Sequence, residues 1–119
     1  MPAHLAQLCL FSADGSSLRR FLEVVSGQME HDDGRLVSFH MGQGPSTVAH
    51  HPPAGELEEG DLLVTLQVAG PADVDRVHQA LLRSGLTVDD APESTEWGWR
   101  LFYYRAAEHL VFEVGAPVG

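Results

Sequence analysis

Two stretches of this chain pass through the same succession of residue types, and any fold has to satisfy both. Leu5 to Phe11 (LAQLCLF) is an apolar run of strand length, followed by Ser12-Ala13-Asp14-Gly15-Ser16, which is rich in turn and helix-capping residues. Leu18, Phe21, Leu22 and Val25 then fall at the i, i+3, i+4, i+7 spacing of one helix face, which Ser26-Gly27 ends. The second stretch opens with Leu62 to Val68 (LLVTLQV). Ala69-Gly70-Pro71-Ala72-Asp73 follows with a proline suited to a first helical position, and Val74, Val77, Leu81 and Leu82 form a stripe ending at Ser84-Gly85. From Gly27 to Gly85 is 58 positions, close to half of the 119 residues. That period predicts an internal duplication of a strand-helix-strand-strand-strand unit.

The remaining segments fill out the two units. Arg35 to Met41 reads as a strand, Gly42-Gln43-Gly44-Pro45 as a turn and Ser46 to His50 as the return strand of a hairpin. Pro52 to Gly60 is a polar, acidic linker. Leu86 to Val88 reads as a short strand, Asp89 to Glu96 as a polar turn, Trp99 to Arg105 as an aromatic strand and Leu110 to Val114 as the last strand. A chain of this length supports one modest core, so the modules, about 1–55 and 61–119, are expected to form a single domain over 1–119.

Charge narrows the chemistry. All seven basic residues are arginine, against seventeen carboxylates and a formal net charge of -10. Without lysine there is no amine nucleophile for Schiff-base or pyridoxal-phosphate chemistry and no P-loop lysine. Scattered arginines on an acidic chain argue against nucleic acid as a partner, since polyanion binding rests on clustered positive charge. No stretch approaches the roughly 20 apolar residues of a membrane span, so no membrane partner is expected. The single Cys9 allows neither an intrachain disulfide nor a cysteine metal cluster, and fits a cytoplasmic setting, with no secretory signal read at the N-terminus.

The order LAQLCLFSAD, helix, hairpin, LLVTLQVAGPADVDRVHQALLRSGLTV and EWGWRLFYYRAAEHLVFEV resembles a small protein of the vicinal oxygen chelate superfamily, which includes glyoxalases, bleomycin-resistance proteins and extradiol dioxygenases. The resemblance spans nearly the whole chain and is best at Trp97-Gly98-Trp99-Arg100 and His109-Leu110-Val111. It implies an α+β fold in which two βαβββ modules form a curved mixed sheet around a cleft, with the helices outside. In metal-dependent members, four strand residues, mostly His and Glu, hold a divalent cation in that cleft.

Carried over by position, the resemblance places Gln7, seven residues before Asp14, at the first ligand position, where Gln is compatible. The second falls on Ala49 or His50, according to a one-residue register choice. The third falls on Leu63, which offers no lone pair. The fourth falls on Phe112, with Glu113 one place along and reachable only if the shortened turn Ala106-Ala107-Glu108 shifts the strand. Gln7, His50 and Glu113 are then the only donors, too few for the usual catalytic centre.

Trp97, Trp99, Phe102, Tyr103 and Tyr104 place five aromatics in eight residues. Alternation puts Trp97, Trp99 and Tyr103 on one face and Phe102 and Tyr104 on the other, so one set is expected to line the cleft and stack on a flat or cationic ligand. His50 and His51 read first as loop histidines, Glu56, Glu58, Glu59 and Asp61 as a solvated linker, and Cys9 as an inert core residue. The leading expectation is a metal-independent protein that sequesters a small organic ligand, with no cofactor and with contacts from Gln7, Phe39, Trp97, Trp99, Tyr103 and Phe112. The alternative is a divalent-metal-dependent lyase, isomerase or dioxygenase using Gln7, His50 and Glu113. A homodimer is expected in either case, because short modules with exposed sheet edges tend to pair.

Overall fold

Both apolar runs become central strands of one eight-stranded sheet. In the computed structural model, which describes residues 3–119, the chain runs β1 (His4–Phe11), α1 (Ser16–Val25), β2 (Met29–Asp32), β3 (Val37–His40), β4 (Thr47–His51), β5 (Leu62–Gln67), α2 (Pro71–Arg83), β6 (Glu93–Ser94), β7 (Trp99–Ala107) and β8 (Leu110–Pro117). This is βαβββ twice. Across the sheet the strands lie β2-β3-β4-β1-β5-β8-β7-β6, so each module supplies four neighbours and the two join at β1 and β5. β1 and β5 run antiparallel, whereas β1–β4 and β5–β8 are parallel. Gln7 pairs with Thr65 at the joint. From 7 to 65 is again 58 positions, so the two units meet about a pseudo-two-fold axis at residues related by the repeat itself.

The helices cover one face unequally. α2 buries Val74 and His78, and Val68, Val74, Phe102, Val114 and Ala116 form a core cluster with Val77 and Leu81 packed against it. Its end is fixed by bonds from Gly85 N–H to Leu82 O and from Leu86 N–H to Leu81 O, with Gly85 in the left-handed region at φ 91°. α1 buries only Leu22 and leaves Phe21, Val24 and Val25 at 62%, 86% and 60% exposure. On the opposite, concave face, Cys9, Phe11, Ala49, Leu63 and Val111 form a second cluster, with Leu36, Leu57 and Tyr103 against it. The linker is built into this face: Ala54 and Leu57 bridge, and Gly60 N–H donates to Phe11 O.

Two strands differ from the sequence expectation. β2 is formed by Met-Glu-His-Asp, all exposed, with no apolar alternation to announce it; pairing with β3 alone creates it. Leu86–Val88 forms no strand. β6 lies instead at Glu93–Ser94, inside the expected polar turn, where Glu93 and Ser94 pair with Leu101 and Arg100. Because β1 and β5 join within the chain, β2 and β6 are the edges, and both are short and charged. Such edges discourage strand addition, which removes the exposed-edge argument for pairing. Among the described residues, no helix is long and apolar enough to cross a membrane.

Candidate functional site

The register places four polar residues in a row across the middle of the concave face. Gln7 on β1 is opposite Thr47 on β4 and Thr65 on β5, and Thr65 is opposite Glu113 on β8. The Gln7 amide donates to Thr47 Oγ1 at 3.0 Å, and the Thr65 hydroxyl donates to Glu113 Oε1 at 2.9 Å. Each module therefore contributes one hydrogen-bonded pair from its parallel strands. One step further along the strands, the row of Ala49, Cys9, Leu63 and Val111 is apolar and buried.

The polar row floors a cavity of about 610 Å³, within the range of small-molecule sites. Ser38, Gln67, Leu101, Trp97 and Trp99 complete its walls, and Glu30 and His31 stand at the β2 side. Trp99 faces Pro117 across β7–β8 and lies over Gly115, where an added Cβ would come 3.1 Å from its ring. Trp97 sits in the turn before β7, which is held by Gly98 N–H to Thr95 O and by Trp99 N–H to Thr95 Oγ1, and it is 69% exposed. Tyr103 is opposite Glu113.

Of the residues singled out from the sequence, Gln7, Trp97, Trp99 and Glu113 line this cavity, and Tyr103 adjoins it. Phe39 and Phe112 do not. Phe39 is buried opposite Val48 on the helix-covered face, while its neighbour Ser38 faces the cleft. Phe112 is opposite Val64 and Tyr104, also on the helix side. The β7–β8 register shifts between Arg105 and Ala107, and beyond that bulge Glu113 is the residue turned into the cleft. His50 alternates away from Thr47 and Ala49. Its Nε2–H donates to Ser12 O at 2.7 Å, and its ring lies against Gly15 at the start of α1. Gln7, His50 and Glu113 are therefore not brought together. Thr47 and Thr65 were missed by the sequence reading, although the 58-residue period applied to Gln7 points directly to Thr65.

Electrostatically the floor is nearly neutral apart from Glu113. Burial pushes its carboxyl above the ordinary carboxylate range, against the opposing hydrogen bonds from Thr65 and Tyr103. Burial and then the charge of Glu113 raise the Tyr103 phenol, and the same two causes push the Cys9 thiol up to about 12, which keeps it an unreactive thiol.

A divalent catalytic cation would need imidazole and carboxylate donors. The row offers one carboxylate, one amide and two hydroxyls, and these are bonded to one another. Among the described residues, no three His, Cys, Asp or Glu side chains are grouped to hold a metal ion. The residues at this position do not fit a catalytic metal centre.

No protein-family model and no curated protein matches the sequence. Solved structures match it in fold. One described as an NAD-dependent benzaldehyde dehydrogenase from Legionella pneumophila has a TM-score of 0.72 at 13% identity, covering 98% of this chain and 99% of that one. A glyoxalase/bleomycin resistance protein/dioxygenase superfamily member from Vibrio splendidus 12B01 has 0.62 at 14% identity, over 98% and 100%. The 2,2',3-trihydroxybiphenyl 1,2-dioxygenase of Sphingomonas wittichii RW1 has 0.61 at 24% identity, over 94% of this chain and 41% of that one. The chain has the fold of the glyoxalase/bleomycin-resistance/dioxygenase superfamily, the vicinal oxygen chelate fold.

Proposed function

We propose that this chain is a metal-independent binding protein that takes a small organic ligand into the concave cleft and holds it without chemical change. The observation that carries this reading is the row Thr47, Gln7, Thr65 and Glu113, a donor and acceptor floor with a single ionisable group, set under the two tryptophans. The rings supply flat apolar contact, and the amide, hydroxyls and carboxyl orient polar groups of the ligand. The test is metal retention after dialysis with manganese, iron, nickel and zinc against a chelator-treated control, followed by a ligand screen read by tryptophan emission. The reading expects no stoichiometric retention and ligand-dependent emission changes unaffected by chelator. Stoichiometric metal that is lost in Glu113→Gln would overturn it.

We also propose that two copies pair through the apolar face of α1, where Phe21, Val24 and Val25 are exposed, and not through the sheet edges.

A further inference from the structure

The cleft holds hydrogen-bonding capacity that the protein itself does not use. Ser38 on β3 is only 3% exposed, yet it lines the cleft and its hydroxyl makes no hydrogen bond among the described residues. Buried polar groups normally have partners, so an unspent one that opens into a cavity points to something that enters it. Its neighbours on the floor share the property. Thr47 is buried and accepts the Gln7 amide at 3.0 Å, which leaves its own O–H to donate and the Gln7 carbonyl oxygen to accept. Gln67 on β5 also lines the cleft, with both ends of its amide uncommitted among the described residues.

Charge, by contrast, is already committed. The ionisable side chains of the walls are Glu113, Glu30 and His31. Glu113 is bonded to Thr65 at 2.9 Å, Glu30 to His40 at 2.9 Å and His31 to Asp33 at 3.2 Å. No arginine is among the described lining residues. What the floor offers is therefore neutral, and each unspent hydroxyl or amide both donates and accepts. A ligand hydroxyl has the same dual character.

The spread of these groups restricts the ligand further. From Ser38 to Gln67 the floor crosses β3, β4, β1 and β5, roughly 14 Å at ordinary interstrand spacing. A planar heterocycle, whose polar atoms share one edge, reaches only part of that span. A saturated ring with hydroxyls around its perimeter meets groups on several strands at once, and its polarised C–H face suits the electron-rich face of an indole.

We propose that the cleft recognises a neutral sugar, a mono- or disaccharide, whose hydroxyls bond Ser38, Thr47, Gln7 and Gln67 while a C–H face lies against Trp97 and Trp99. The cavity of about 610 Å³ accommodates a ligand of that size. This inference rests on the cleft-binding reading and names the class of ligand for it.

The test is a titration of the full chain with the methyl α- and β-pyranosides of glucose, galactose and mannose and with maltose, followed by amide chemical shifts. Phenol serves as the flat control and 2-(hydroxymethyl)tetrahydropyran as the hydroxyl-poor ring. Taken to about 50 mM, well past a millimolar Kd, at least one sugar should give saturable shifts at Gln7, Ser38, Thr47 and Gln67 and at the indole N–H groups. Ser38→Ala should weaken that sugar about fivefold to tenfold, the scale of one neutral hydrogen bond. The free variant should melt with the wild type, because the hydroxyl has no internal partner to lose. The proposal is overturned if no sugar saturates, if either control binds as tightly, or if Ser38→Ala binds the sugar unchanged. Saturable cleft shifts with phenol alone would overturn the sugar and leave the cleft reading standing, whereas stoichiometric metal retention on dialysis overturns the cleft reading itself.

Discussion

Thr65 and Glu113 are bonded at 2.9 Å across the parallel β5–β8 register, and Gln7 and Thr47 repeat that relation at 3.0 Å across β1–β4. The duplication has kept the geometry of the row while leaving a single group in it that ionises. That group can be followed by pH. Burial raises the Glu113 carboxyl, so the folded chain retains a proton that the unfolded chain loses near 4.5. Stability from this source is full below the unfolded value and declines as pH rises toward the folded one. Glu113→Gln keeps an oxygen for Thr65 and removes the ionisation. Its melting temperature minus that of the wild type should therefore increase from pH 4 to pH 7, measured by circular dichroism. A difference that stays flat would show a carboxyl that is solvated in the folded state.

Gly15 carries no side chain because His50 occupies the space: a Cβ there would collide with Nδ1 of the ring. The ring is held by its bond to Ser12 O, so it cannot swing aside freely. Gly15→Ala is expected to destabilise by about 1–3 kcal/mol through overpacking. Adding His50→Ala should recover part of that loss in a double-mutant cycle by denaturant unfolding. Additive effects would mean that the two positions do not touch.

Asp61 is 1% exposed and ties the linker to the β7–β8 turn. Its carboxylate accepts Glu58 N–H at 2.8 Å, Arg105 at 3.3 Å and the His109 ring N–H at 3.0 Å. The Glu58 bond leads these in holding its pKa down to about 2. Asp61→Asn should cost roughly 1–3 kcal/mol at pH 7, the scale for leaving such donors unsatisfied. A lowered carboxylate pKa contributes stability that is present above the unfolded value of 3.8 and fades as pH falls toward 2. Urea midpoints of variant and wild type should thus converge in acid, and a gap independent of pH would refute the charge-based account.

Much of this architecture is legible in the sequence because it is written in periodicity. The 58-residue repeat, the two helix stripes and the apolar runs that become β1 and β5 all follow from local spacing. What escapes is set by partners. Met29–Asp32 is a strand only because β3 lies beside it, and Glu93–Ser94 only because β7 does. The cleft suffers from the same rule in sharper form, since one residue of register exchanges faces: Phe39 and Phe112 give way to Ser38 and Glu113, and His50 turns toward α1. For Glu113 the register shifts between Arg105 and Ala107, at the shortened turn Ala106-Ala107-Glu108 that the sequence marks as the place where the last strand could slip. The linker's acidic run reads as solvated, yet Asp61 within it is buried and fully engaged.

The two tryptophans of the cleft should separate binding from stability. Trp97 is largely exposed, and Trp97→Ala should change stability by no more than about 0.5 kcal/mol while weakening any cleft ligand. Trp99 is partly buried over Gly115, so Trp99→Ala should cost toward 3 kcal/mol and weaken binding as well. Thermal unfolding alongside ligand titration distinguishes the two. Equal loss of stability in both variants would show that Trp97 is packed in solution.

α1 and α2 hold equivalent places in the duplicated unit, yet α2 packs Val74, Val77 and Leu81 of its stripe onto the sheet while α1 buries only Leu22. Phe21, Val24 and Val25 on α1 stay open to solvent, an arrangement that favours covering by a second copy since each copy then shields the other's identical patch. The short, charged edge strands β2 and β6 offer no competing route. Val24→Glu places a charge at the most exposed of the three positions, where the monomer's own packing is untouched. Sedimentation equilibrium should find the wild type dimeric and the variant weakened at least about tenfold, the effect of burying an unpaired carboxylate at an interface. A wild type that remains monomeric at high concentration, or a variant that pairs as well as the wild type, would remove α1 from the interface.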